Sequence, residues 1–268
     1  MAKGNIEYHH VDDWDSLRYF IDDYFTHFQT YIYRGQAQSN WILEPTISRA
    51  LKKIPFDIED NEVIKSHLMK FKNNIRGRRG ENPKELNENE LWALGQHYGL
   101  YTPLLDWSRS PYVGLFFAFA NPVRSRTKDR VLWAIDVPSI EIISENYLKD
   151  ESKGETWKLE IIDPPLDENS RLVSQAGLFT KVPISIDIEQ WVKKGKDTGG
   201  LAMYKFTIPD NLRNDILCAL NNMNINYTSL FPDLTGASYG CNLSLNLDPY
   251  MEEMRLKEWD MAMEIKSG

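Results

Sequence analysis

Apolar residues along the chain follow helical spacing in some segments and extended spacing in others. Over residues 12–28, behind two aspartates that suit a helix N-terminus, apolar residues recur at steps of three and four, which predicts an amphipathic helix. Residues 57–76 repeat this spacing, and residues 88–99 predict a third helix that stops at Gly99. Three β-prone residues at 31–33 predict a strand between the first two helices.

The middle of the chain continues the alternation in irregular order. Ser110 and Pro111 form a cap and first-turn pair before the nearly all-apolar run YVGLFFAFA, which predicts a buried helix. Strands are predicted at residues 130–138 and in GLAMYKFTIP, after which a helix starts near Pro209. The charged residues 145–170 are expected on the surface.

The fold class follows from this order of elements. The segment RLVSQAGLFTKVP predicts a helix end, a turn at Gly177 and a strand. The sequence has no internal repeat and no linker-like tract. Helices and strands in irregular order are typical of α+β folds. We therefore expect one α+β domain over residues 1–268 with a mixed β-sheet core at about 31–235. The helix 12–28 and the C-terminal segment 248–268 would pack on this core or dock a partner.

Composition narrows the class of protein. The 268 residues are 42% hydrophobic, which suffices for a sizeable core, and the net charge of −8 disfavours a non-specific nucleic-acid binder. Cys218 and Cys241 lack the spacing of a disulfide scaffold or a zinc site. The two isolated cysteines and the scattered histidines favour a reduced, cytoplasmic protein without a metal. Because no run reaches about 18 uncharged apolar residues and the N-terminus lacks a signal-peptide core, we also expect no membrane insertion.

A first candidate site is the cluster Arg34-Gly35-Gln36 at the end of a predicted strand. The glycine would let the backbone approach a ligand closely, and the guanidinium would bind a pyrophosphate through two parallel hydrogen bonds. A strand-end arginine in a structural ion pair fits the same three residues.

Two further clusters surround the predicted buried helix. His97 ends the third helix, with Thr102 close behind; the helix dipole favours a protonated imidazole that suits an anion or a general acid, while a cap for helix carbonyls fits equally. Asp106, Trp107 and Ser108 would form a pocket wall. Alternatively, Asp106 caps the following helix and Trp107 fills the core.

The last polar features are Gln175, a basic loop and a C-terminal stripe. Gln175 precedes a turn and a strand, where its side chain faces either a cleft or the surface. Arg76, Arg78 and Arg79 indicate either a contact to RNA or DNA or a solvated turn. The C-terminal stripe suits docking to an antitoxin or chaperone, or packing on the core. It comprises Met251, Met254, Trp259 and Met263.

These motifs together resemble the FRG-domain family. The segments that carry the resemblance are YRGQ with W.L.PTISR, QHYGLYTPLLDWSRSPYVGLFFAFA, SQAGLFT and LFPDL, which extend from about Tyr33 to Leu234. The family occurs in bacteria and in phage-defence loci, so the resemblance implies a toxin or an antiviral defence role.

A second resemblance is to ADP-ribosyltransferases of the arginine-serine-glutamate type. Arg34 is similar to their first-strand arginine, Ser108 with the helix behind it to their serine strand, and Gln175 to the start of their third motif. This implies an ADP-ribosyltransferase-like fold with NAD as co-substrate. Arg34 would bind the NAD phosphates or ribose, Ser108 would brace the nicotinamide ribose, and Trp107 or a nearby aromatic residue would stack on nicotinamide. The cofactor-binding residues implied are Arg34, Gly35, Gln36, Thr102 and Trp107.

One position departs from the transferase pattern. Gly177 stands two residues after Gln175, where a transferase carries its catalytic glutamate. Loss of nicotinamide builds positive charge on the ribose, which a nearby carboxylate stabilises. Either Asp106 supplies this carboxylate, or the domain binds NAD or a nucleotide without turnover.

The leading hypothesis is an ADP-ribosyltransferase-like toxin or phage-defence effector that cleaves NAD and transfers ADP-ribose to a nucleic acid such as RNA, or to protein. The expected catalytic residues are Arg34, His97, Asp106, Ser108 and Gln175. The first alternative is a non-enzymatic nucleotide-binding or sensing module. A third reading makes the polar block a buried network that only fixes the fold.

Overall fold

The computed structural model describes residues 5–25, 30–54, 60–150, 152–153, 157–164, 170–184, 186–195 and 200–267. Its strands are β1 (Ile6–His10), β2 (Tyr31–Gln36), β3 (Leu104–Ser108), β4 (Asp129–Asp136), β5 (Glu160–Ile162), β6 (Gly177–Lys181) and β7 (Met203–Pro209). Its first helices are α1 (Trp14–Tyr24), α2 (Thr46–Leu51), α3 (Asp60–Asn74), α4 (Glu88–His97), α5 (Pro111–Phe119) and α6 (Val137–Leu148). The later helices are α7 (Ser170–Ser174), α8 (Ile188–Lys194), α9 (Arg213–Asn222), α10 (Tyr227–Leu230) and α11 (Leu234–Ser267).

The seven strands form one mixed sheet in the order β1-β7-β4-β2-β3-β6-β5. β1 and β7 pair in parallel, and the other neighbours pair antiparallel. Helices interrupt the strands in irregular order. The predicted α+β class with a mixed sheet is thereby confirmed.

The pairing between β2 and β3 is much shorter than the pairing of either strand with its other neighbour. β2 pairs with β4 along its full length, from Tyr31 to Gln36, and β3 pairs with β6 along its full length. β2 and β3, whose residues are all described, are in register at one pair, Tyr33 with Ser108. The sheet therefore consists of a four-stranded half and a three-stranded half, and the two strands at the junction separate beyond this pair.

Helix α5 lies against β2 with backbone touching backbone. A Cβ atom on Gly35 would lie 2.0 Å from the carbonyl oxygen of Gly114 and 2.4 Å from the amide nitrogen of Ala118. We predicted that Gly35 lets the backbone approach a ligand. The structure shows that the chain approached so closely is α5, so Gly35 serves helix packing.

The C-terminal end of α5 is fixed by a buried arginine. Arg130 of β4 is fully buried and donates to the carbonyl oxygens of Ala118, Asn121 and Val123, while its Nε lies 2.5 Å from Oδ1 of Asp210. Helix-end carbonyls need such donors when they are buried. The guanidinium thus ties the end of α5 to β4, an interior strand of the sheet.

Most elements match the predictions, with a few corrections. Asp13 and Ser110 cap α1 and α5 as expected, and Gly99 has a φ of +83° after α4. The turn before β6 lies at Ala176, with a φ of +45°, and not at Gly177, which is already in the strand. The elements that were not predicted are β1, α2, α6, β5, α8, α10 and α11. Residues 26–28 and 57–59 of the predicted helices lie outside the described residues.

The end of α11 is exposed. Met251, Met254, Trp259 and Met263 are all more than a third exposed, so this stripe does not pack on the core. In the part of the chain that is described, none of the helices has both the length and the apolar character that crossing a membrane requires.

The contact between β2 and α5 predicts a large effect of one methyl group. Gly35→Ala should lower the free energy of unfolding by about 3 kcal/mol or more, because the Cβ overlaps backbone atoms that cannot move aside. Urea denaturation measures this loss. Gly200→Ala, where a Cβ meets none of the described residues within 4 Å, is the control and should stay within about 0.5 kcal/mol of the wild type. Equal stabilities of the two variants would contradict the packing described.

Candidate functional site

A cleft of about 400 Å³ opens where β2 and β3 separate. Such a volume suits a small molecule or part of a cofactor. The cleft brings together the five residues predicted to be catalytic, which come from β2, α4, β3 and the end of α7. These are Arg34, His97, Asp106, Ser108 and Gln175.

Arg34 bridges the gap between the two strands. Its Nη1 donates to the backbone carbonyl of Asp106 over 2.6 Å and lies 3.7 Å from the Oδ2 atom of the same residue. Its Nε is buried and has no hydrogen-bond partner among the described residues. Burial lowers the pKa of Arg34, and the charge of Asp106 opposes this shift. The site therefore holds a desolvated cation that its protein neighbours satisfy only in part.

Asp106 presents its carboxylate to the cleft. The side chain is 64% exposed, whereas its neighbours Leu105 and Trp107 are buried, as strand alternation requires. Ser110, and not Asp106, caps α5, since the Ser110 hydroxyl accepts from the amide of Val113. The alternative that Asp106 is a helix cap is thereby wrong.

Trp107 lies on the opposite face of β3 from Asp106. The ring is 3% exposed, and its Nε1 donates to Oγ1 of Thr180 over 2.9 Å inside the core. The indole therefore fills the core and leaves little ring surface for stacking, although Trp107 is also among the residues that line the cleft. Phe117 of α5, 38% exposed, is an aromatic side chain that does line the cleft.

Ser108 and Gln175 hold the wall of the cleft together. The Ser108 hydroxyl donates to the backbone carbonyl of Gln175 over 2.7 Å and accepts from the amide of Ser110. Gln175 donates through Nε2 to the carbonyl of Leu230. Both side chains thus have protein partners, and they fasten the turn before β6 to β3 and to α10.

The surroundings of His97 favour its neutral form. Burial lowers the pKa of His97, the nearby Arg171 lowers it further, and Asp233 opposes both. We expected the helix dipole to favour the protonated imidazole, and the structure places a cation and apolar surroundings there instead. Arg171 and Phe231 line the cleft but were not predicted. The quoted motif LFPDL contains Phe231 and was the available signal.

Two residues predicted to bind the cofactor have structural partners. Gln36 is buried, accepts from Nε1 of Trp133 over 2.8 Å and donates to the carbonyl of Ile42. Thr102 is fully buried and its hydroxyl donates to Oε1 of Gln96. Thr102 does not line the cleft, and the same holds for the basic loop with Arg76, Arg78 and Arg79.

Comparison with known families identifies the segment that carries most of the site. The family model of the FRG domain matches residues 29–127, which include Arg34, His97, Asp106 and Ser108. This part of the chain therefore matches the FRG domain, as its motifs predicted. The match covers less than half of the chain, and SQAGLFT and LFPDL lie beyond it. The comparisons with curated proteins and with solved structures find no match. The similarity to ADP-ribosyltransferases stays a prediction.

The environment of His97 generates a testable prediction. Arg171→Ala should raise the pKa of His97, because the variant removes a positive charge that disfavours the imidazolium and leaves Asp233 to favour it. A pH titration followed by NMR of the His97 ring measures the shift. Arg18→Ala, an exposed arginine on α1, should leave the His97 titration unchanged. A pKa of His97 that falls or stays the same in Arg171→Ala would refute the assigned cause.

Proposed function

We propose that the cleft binds NAD and that the protein is an ADP-ribosyltransferase-like toxin or phage-defence effector. It would cleave NAD and transfer ADP-ribose to a macromolecule, either a nucleic acid such as RNA or a protein. One observation supports this most: a desolvated guanidinium, Arg34, and an exposed carboxylate, Asp106, lie side by side in one cleft although 72 residues separate them in sequence.

Arg34 suits the diphosphate of NAD. The guanidinium is already desolvated, and its buried Nε has no partner among the described residues. Phosphate oxygens would accept hydrogen bonds from the free edge of the guanidinium in the parallel geometry that arginine favours. The Asp106 carboxylate lies 3.7 Å from the guanidinium and neutralises its positive charge only in part. A diphosphate would supply the remaining negative charge.

In the proposed reaction the bond between the nicotinamide nitrogen and the ribose C1′ breaks. Its electron pair leaves with nicotinamide, which becomes neutral, and the positive charge passes to the ribose. Asp106 would stabilise this charge electrostatically. A nucleophile of the acceptor then forms a bond to C1′ and loses a proton, which the neutral imidazole of His97 is suited to take. Ser108 and Gln175 would keep the cleft wall in place.

A nucleotide-binding or sensing module without turnover is the second candidate. It is favoured by Gly177, a strand residue in register with Ser108, which leaves the third motif without a carboxylate. In this case ligand binding at Arg34 would be the function, and Asp106 would orient the guanidinium.

We also propose where the protein acts and which surface would bind a partner. A protein that consumes NAD in this way would act in the cytoplasm. A toxin needs control, and the exposed stripe on α11, made of Met251, Met254, Trp259 and Met263, is the surface that we propose for an antitoxin or chaperone protein.

Nicotinamide release tests the proposed function. Labelled NAD incubated with the protein and cell lysate should yield free nicotinamide and label on protein or nucleic acid. Arg34→Ala and Asp106→Asn should each reduce release by about 100-fold or more, the loss typical of removing one group that stabilises developing charge. Arg18→Ala and Asp15→Asn, exposed residues of α1, are the matched controls and should retain wild-type release.

The binding of NAD separates the two candidates. Calorimetry should show that Asp106→Asn still binds NAD while Arg34→Ala does not, since Arg34, and not Asp106, is assigned to the phosphates. Binding of NAD by the wild type with no nicotinamide release in lysate would overturn the enzyme and favour the sensing module. Absence of NAD binding would overturn the enzyme, and absence of binding to any nucleotide would overturn the sensing module as well.

A further inference from the structure

A second lobe continues the cleft on the other side of Arg34. It encloses about 660 Å³ and shares Arg34, Gly35 and Phe117 with the first lobe. Its remaining walls come from the loop after β2, from α2 and from Asn121. The two lobes therefore meet at the guanidinium, and neither the catalytic hypothesis nor the FRG motifs assign a ligand to the second one.

The second lobe exposes large apolar side chains. Trp41 is 51% exposed, Ile42 is 45% exposed and Phe117 is 38% exposed, and all three line this lobe. Unlike the buried indoles of Trp107 and Trp133, the Trp41 ring presents much of its surface to solvent. An exposed indole at the wall of a cavity is a stacking surface for a flat ligand.

The same lobe carries an excess of positive charge. Arg34 and Arg49 lie near enough that the charge of Arg49 helps to lower the pKa of Arg34. Arg49 donates one N–H to the carbonyl of Glu44. The carboxylate of Glu44 is buried and forms an ion pair with Lys52. Both guanidiniums therefore keep donors for an anion at the wall of this lobe.

These features together select one class of ligand. An inorganic anion would leave the exposed aromatic surface unused, and an apolar ligand would leave the two cations unused. A nucleoside phosphate uses both, because its base stacks on an aromatic ring while its phosphate accepts from arginine.

We propose that the second lobe is a subsite for a nucleoside phosphate, with the base against Trp41 and the phosphate between Arg34 and Arg49. This deepens the proposed function and rests on it for the phosphate at Arg34. The base is either the adenine of the dinucleotide or a base of a single-stranded acceptor, since stacking accepts both.

Calorimetric titration of the full chain with three probes tests this subsite. The probes are AMP, ribose 5-phosphate, which lacks the base, and adenosine, which lacks the phosphate. AMP should bind about tenfold more tightly than ribose 5-phosphate, as expected for one stacked base. Trp41→Ala should remove this gain and leave ribose 5-phosphate binding unchanged, while Trp41→Phe should keep most of it. Trp259→Ala, an exposed tryptophan of α11, is the matched control and should bind AMP like the wild type.

The outcomes separate the subsite from the proposed enzyme. AMP binding no tighter than that of ribose 5-phosphate, or equal AMP binding by the wild type and Trp41→Ala, overturns the subsite. If Trp41 supports AMP binding but NAD is not cleaved, the subsite stands and the enzyme falls. Displacement of AMP by NAD supports the subsite with adenine as its base, and displacement by a single-stranded RNA oligonucleotide supports it with an acceptor base.

Discussion

The hydrogen bond from the side chain of Arg34 to the backbone of Asp106 is the interaction on which the candidate site depends. β2 and β3 are in register at Tyr33 and Ser108, and beyond that pair a side chain makes the connection that a strand ladder would otherwise make. The gap leaves room for a cleft between two halves of one sheet. It also keeps most of the guanidinium from water, because the Arg34 side chain lies between the strands and only 22% of it is exposed. The same geometry therefore separates the two strands and places a positive charge between them.

Helix α5 explains why this opening does not collapse. Gly35 lets α5 lie directly on β2, and Arg130 holds the far end of the helix to the sheet. Because α5 is fixed at both points, Phe117 is presented at the junction of the two lobes. The apolar helix that the FRG motif contains is therefore a support for the cleft. The polar residues of the motif divide between Asp106, which faces the cleft, and Ser108, which holds the cleft wall together.

The local elements of the fold could be predicted from the sequence where periodicity, caps and apolar content agree, as in α5 with its Ser110 cap. β1 and α8 escaped prediction because they are short and mix charged with apolar residues. The exposure of Asp106 and the burial of Trp107 follow from strand alternation only once β3 is known to be a strand. The lowered pKa of His97 depends on burial and on Arg171, both of which arise only through tertiary contacts. Likewise, the Ser108 hydroxyl donates to the backbone carbonyl of Gln175, which is distant in sequence. No local sequence pattern indicates that these two segments lie side by side.

A crystal structure of the protein with ADP-ribose bound tests the central claim most directly. The account predicts that the diphosphate accepts hydrogen bonds from the guanidinium of Arg34 and that the terminal ribose lies beside the carboxylate of Asp106. The adenine would lie against Trp41. A structure in which ADP-ribose binds elsewhere, with Arg34 bonded only to the carbonyl of Asp106 and both lobes empty, would contradict it.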